Sequence, residues 1–168
     1  MNHFHCAWLL LVLNRVDEAI VQHEMAKRLD PFTPFQSALL SWACRYRGDT
    51  ETAKEQAGRT LELSPDGAMG LLVLGVTYVQ AGRTEDARAI ARAMEAEPGN
   101  SFSALGLAIL YGQLGDVQNT YRWLTYEPPH AWVVAVTIDP IVGIPSEVLS
   151  DPVFEEFLAR INLPTLAG

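Results

Sequence analysis

The residues of this chain that could carry chemistry are four histidines, two cysteines and several neighbouring carboxylates. The segment His3-x-His5-Cys6 brings three potential metal ligands together. On a helix, residues two apart point in different directions, so the two imidazoles do not converge on one ion. His130 follows a diproline and has no evident partner. The acids Asp17-Glu18, Glu51 and Glu85-Asp86 recur at regular intervals. Complementing the positive end of successive helices explains that recurrence better than acid–base catalysis does. The chain has no glycine-rich loop ending in lysine, no nucleophile elbow and no zinc-ligand spacing. An enzyme, a cofactor and a metal are therefore not expected.

The elements that position these residues follow from composition and repetition. The 168 residues suit one ordinary domain, and 49% are apolar and 19% charged, which describes a folded protein. Twenty acidic residues outnumber twelve basic ones, for a net charge of −8. Nucleic acid and anionic membrane surfaces are poor partners for such a chain. Cys6 and Cys44 lie in helical apolar patterns and read as small core residues of a reducing compartment. The apolar run Cys6–Leu13 is far shorter than a membrane span needs, and no basic residue precedes it as in a signal peptide. A cytoplasmic location is expected.

Self-similarity is the main signal. Asn14-Arg-Val-Asp-Glu-Ala19, Gly48-Asp-Thr-Glu-Thr-Ala53, Gly82-Arg-Thr-Glu-Asp-Ala87 and Gly115-Asp-Val-Gln-Asn-Thr120 align at spacings of 34, 34 and 33. Asp30-Pro31, Ser64-Pro65, Glu97-Pro98 and Glu127-Pro128 form a second series with nearly the same period. The glycine (Asn14 in the first unit) suits positive φ just past a helix end. The acids that follow suit the start of the next helix, and proline stops it. Each unit reads as helix, tight turn, helix, break. In the third unit the first helix spans 68–81 and the second 84–96. Small residues recur in register, at Ala7, Ser41, Gly75 and Ala108 on the first helices and at Ala19, Ala53, Ala87 and Thr120 on the second. They let paired helices approach closely.

This pattern resembles the tetratricopeptide repeat, with Leu71, Leu74-Gly75, Tyr78, Ala87 and Pro98 giving the best match. The fourth unit keeps Leu107-Ala108 and Tyr111; the first two replace the tyrosine by Leu10 and Cys44. The resemblance covers residues 1 to about 128. It implies an all-α, right-handed superhelical solenoid of antiparallel hairpins, over 1–31, 32–65, 66–98 and 99–128, with first helices lining the concave side. His23 falls where the family often has an aromatic, which implies a packing role.

The first unit begins almost inside its first helix, so the domain reads as cut from something longer or docked on a partner, with an apolar edge at Phe4, Leu9 and Val12. Beyond residue 128 the repeat fails. Trp132–Val136 reads as an extended segment, Gly143-Ile-Pro145 as a loop, and Ser150-Asp151-Pro152 as the start of a capping helix with Phe154, Phe157, Leu158 and Ile161 on its apolar face. This tail, over 129–168, is similar to one in bacterial multidomain signalling proteins, where such arrays follow a nucleotide cyclase, a protein kinase or a winged-helix domain. Trp132, Asp139-Pro140, Ser150-Asp151-Pro152 with Phe154, and Leu163-Pro164 carry that likeness.

Family geometry places Phe4, Trp8 and Leu11; Phe35, Ala38, Trp42, Arg45 and Tyr46; Met69, Leu72, Val76 and Val79; and Phe102, Leu105 and Ile109 on the concave side. The expectation is a protein–protein interaction or scaffolding module that holds a peptide or helix in an apolar groove, anchored by Trp42, Arg45 and Tyr46. Two alternatives stand beside it. One is self-association, as a homodimer through the N-terminal edge. The other is a small-ligand sensor or enzyme using the groove.

Overall fold

The repeat turns organise the backbone. In the computed structural model of the protein, Asn14, Gly48, Gly82 and Gly115 all have positive φ, between 57° and 87°. Each lies past the end of a first helix, where the left-handed region lets the chain reverse. The same closing bonds recur. Asn14 N–H donates to Leu11 O and Arg15 N–H to Leu10 O, and the pairs Gly48–Arg45 with Asp49–Cys44, Gly82–Val79 with Arg83–Tyr78, and Gly115–Gly112 with Asp116–Tyr111 repeat the pattern at 2.8–3.0 Å.

The structure describes residues 3–65, 67–96, 101–126 and 143–162. The architecture is all-α: α1 His3–Val12, α2 Val16–Leu29, α3 Pro34–Tyr46, α4 Thr50–Leu63, α5 Ala68–Gln80, α6 Thr84–Ala96, α7 Ser101–Gln113 and α8 Val117–Leu124. Two short helices follow, α9 Ser146–Leu149 and α10 Glu155–Arg160, the latter entered through a 3-10 turn at Pro152–Phe154. The chain forms two compact units, Met1–Leu74 and Gly75–Gly168.

Two devices start the second helices. Asp49 and Asp116 accept from the N–H of Thr52 and Asn119 at 3.2 Å and so satisfy a donor that the helix leaves free. Where arginine stands at that position, its guanidinium instead pairs with an acid of the first turn, Arg15 with Glu18 and Arg83 with Asp86. The recurring carboxylates thus serve helix starts. Those of α2, α4 and α6 occupy first turns.

In the first unit α1 packs on α2, α3 on α4, and α2 on α3. Ala7, Ala19, Ser41 and Ala53 are all buried, and the Ser41 hydroxyl donates to Ala53 O at 2.8 Å, where two small positions meet. In the second unit a Cβ added at Gly75 would meet Leu110 Cδ2 at 2.7 Å and Ile90 Cγ2 at 3.3 Å. That close approach is why the third unit carries glycine there. Ala87, Ala108 and Thr120 are buried in the same unit.

The last helix is shorter than expected. Asp151 caps Val153 N–H at 3.1 Å as its position implies, but the turn that follows is 3-10 and the α-helix stops at Arg160. Proline at the first position after the cap and positive φ at Asn162 delimit it. Phe154, Phe157 and Leu158 are buried, and the Phe154 ring meets Tyr121 of α8 edge-on at 5.7 Å. The extended segment expected at Trp132–Val136 lies outside the described residues.

Candidate partner-binding surface

Within the first unit the proposed groove residues separate into a floor and a rim. Trp42, 2% exposed, is buried together with Leu11, Ala38, Met69 and Leu72. Trp8, Phe35 and Arg45 are half-buried, and Tyr46 is 51% exposed. The side chains of Phe4 and Phe102 lie outside the described residues. The Trp42 anchor is therefore a floor residue, not an open contact. A large indole on a close-packed helix face buries more apolar area by turning inward. Its Nε1–H is buried and meets no acceptor.

Arg45 sits one helical step beyond Trp42 on α3, on the same face. No acid is paired with its guanidinium among the described residues, whereas Arg15, Arg47, Arg59, Arg83, Arg88 and Arg122 all have one. Burial alone lowers the Arg45 pKa to about 10. The rim thus holds a desolvated cation beside an exposed tyrosine.

Polar side chains knit the helices beneath. His23, fully buried on α2, donates through Nδ1–H to Gln36 Oε1 of α3 at 3.2 Å, and its Nε2 meets no partner. Burial holds its pKa down to about 4, so the ring is neutral. This confirms the packing role. Lys27 donates to Gln56 at 2.9 Å and links α2 to α4. His3 bonds Gln22 at 2.7 Å. Cys6 and Cys44 are free thiols, and burial raises the pKa of Cys44. Among the described residues no group of three potential ligands could hold a metal ion.

In the second unit Val76, Leu105 and Ile109 are buried and Val79 is half-buried. Gly112 continues the Leu105–Ile109 row along α7, and a Cβ there would lie 2.9 Å from Ile144 Cγ2. The Gln113 amide donates to Gly143 O at 3.0 Å. The tail therefore returns to the end of this row after the repeats. An open apolar row is costly in water, and Ile144 covers part of it.

Three features escape a reading by family position. Glu95 of α6 accepts from both Tyr111 and Trp123. Gln36 partners a buried histidine. Val21, Met25 and Leu29 stand exposed along α2, with Leu9 of α1, Leu13 just after it and Phe32 nearby in sequence. Comparing the same register position across units would have found this last feature.

No family model matches the chain. A pentatricopeptide repeat-containing protein of Arabidopsis thaliana is 38% identical over 80 residues, which are 45% of this chain and 11% of that protein. The chain thus corresponds to about a tenth of the length of that relative. The solved structure of PilW, a widely conserved type IV pilus biogenesis factor, superposes with a TM-score of 0.56 at 15% identity, over 96% of this chain and 77% of PilW. No helix among the described residues is long and apolar enough to cross a membrane. Paired helices, repeated turns and this likeness together place the chain among all-α helical-repeat folds.

Proposed function

We propose that this chain is a protein–protein interaction or scaffolding module that binds a peptide or helix of a partner along the first-helix face of its first unit. Arg45 carries the reading. A partly buried guanidinium without a counter-charge costs free energy, and a partner's hydrogen-bond acceptor laid across it would relieve that cost. Tyr46, Trp8 and Phe35 supply amphipathic area around it, of the kind that dominates interface energetics. The buried rows further along, Met69, Leu72, Val76, Leu105 and Ile109, serve as framework. Membership of a larger bacterial signalling protein rests on the tail's resemblance and is tested by the sequence that adjoins this region in its gene.

The binding test is selection of ligands from a displayed peptide library, followed by calorimetry on Arg45→Ala and Tyr46→Ala. Each substitution should weaken selected ligands by about tenfold or more with no loss of fold. Unchanged affinities would place the binding face elsewhere.

A second reading, self-association through the first hairpin, is favoured by one observation. Six of the eight large apolar residues exposed among the described residues lie between Leu9 and Phe32. Sedimentation of the protein over a range of concentrations tests it.

A further inference from the structure

The exposed residues of α2 form a row. Val21, Met25 and Leu29 are four apart, hence on one side of the helix, and are 56%, 43% and 76% exposed. Leu9 of α1 and Leu13 just past its end, also four apart, are exposed in the same hairpin. The inner side of the same helix is Ala19, His23 and Ala26, all buried. The row is therefore an outward face, separate from the Arg45 rim on α3.

The repeat supplies an internal comparison. Thirty-four residues on, the positions of Val21 and Met25 are Glu55 and Arg59, and that of Leu13 is Arg47. In the second hairpin these outward positions are charged, as a solvated face requires. The first hairpin has the same register and the opposite chemistry. The comparison rests on Val21, Met25 and Leu13, because the counterparts of Leu9 and Leu29 are the buried Ala43 and the half-buried Leu63.

Charge identifies the occupant. Glu24 and Arg28 border the row on one side, four residues apart, and neither is in an ion pair among the described residues. We propose that the occupant is a second copy of this chain, packed antiparallel, α2 against α2, about a two-fold axis through Met25. This rests on the self-association reading above and names its surface. The two-fold sets Met25 on Met25 and Val21 on the partner's Leu29. Rotation about an axis perpendicular to α2 keeps each flank on its own side. Both α1 helices, with Leu9 and Leu13, therefore lie together on one flank. On the other, Glu24 of each copy falls within about two residues' rise, roughly 3 Å along the axis, of Arg28 in its partner. Two symmetric ion pairs close that edge. A parallel two-fold would swap the flanks and set Glu24 and Arg28 of each copy against the α1 side of its partner, where these ion pairs cannot form.

The test is sedimentation equilibrium on the full chain and its variants, with thermal melts as the check on folding. The parent should be a reversible dimer. Arg28→Glu and Glu24→Arg should each weaken the dimer by about tenfold, since each sets like charges together. The double variant Glu24→Arg/Arg28→Glu should recover most of the loss. Met25→Glu should weaken it by about a hundredfold with the helical circular-dichroism spectrum and a cooperative melt retained, because it buries like charges on the axis. A parent that stays monomeric at all concentrations overturns both the self-association reading and this surface. A dimer that ignores the charge reversals, or a double variant no better than the singles, overturns the α2 two-fold and leaves self-association standing.

Discussion

The Tyr111 hydroxyl donates to Glu95 Oε1 at 3.1 Å, and so fastens α7 to α6. The same oxygen accepts from Trp123 Nε1 at 3.1 Å, which brings in α8. One carboxylate oxygen thus links three helices of the second unit. Burial raises the Tyr111 pKa to about 12, and the bond to Glu95 and its charge add to the effect.

Glu95→Ala should destabilise the protein by about 1–3 kcal/mol, because two donors lose their acceptor. Glu95→Gln keeps an oxygen in place and removes the charge. Its Tyr111 should titrate below about 12 but still above an ordinary tyrosine, since burial remains. Ultraviolet titration of the tyrosines, with Tyr111→Phe as the assignment, reads this directly. An unmoved titration would mean that the carboxylate does not face the phenol.

His23 should make stability depend on pH. Its folded pKa of about 4 lies below the ordinary 6.5. Above 6.5 the ring is neutral in both states, and its contribution is fully present. As pH falls from 6.5 to 4 the unfolded chain takes up a proton that the folded chain refuses, so stability is lost across that window. The total is about 3 kcal/mol, to order of magnitude. Denaturant melts at several pH values should show that slope, and His23→Phe should flatten it.

Ala87 is fully buried at the small position of α6. Ala87→Glu should cost more than about 3 kcal/mol, through overpacking and a buried charge with no partner. A melting temperature unchanged within error would show that α6 is packed in a different register.

Peptides that end in a run of acids should not bind usefully. Among the described residues the first-helix face offers one cation, Arg45, within a chain of net charge −8, and long-range repulsion opposes an acidic ligand. Saturable micromolar binding by calorimetry would count against this.

Much of the fold was legible because its determinants are local. Positive φ needs glycine or asparagine, proline ends a helix, and close helix pairs need small residues. Each of these demands leaves a residue type at a fixed spacing, as at Gly48, Pro65 and Ala53. The third unit's helices, expected at 68–81 and 84–96, form at Ala68–Gln80 and Thr84–Ala96. The surface was less legible. Trp42 and Tyr46 are both aromatic on α3, yet one is floor and the other rim, and only the packing of neighbouring helices decides which. The one-turn helix α9 falls between the loop expected at Gly143-Ile-Pro145 and the helix expected from Ser150, and four residues carry too little periodicity to show. Nothing local marks Glu95 as a bridging acid, because its donors lie 16 and 28 residues away.

The four positive-φ turns bear on how the chain acquires its structure. Each is closed by bonds between residues three and five apart, so a hairpin can fold back before its neighbours have formed. Low sequence separation of this kind favours rapid, stepwise growth from whichever hairpin nucleates first. The same property makes the hairpin the natural quantum of change. Adding or deleting 34 residues, from one proline break to the next, keeps every turn in phase. A shift of one or two residues within a hairpin moves its small residues off the contact they serve.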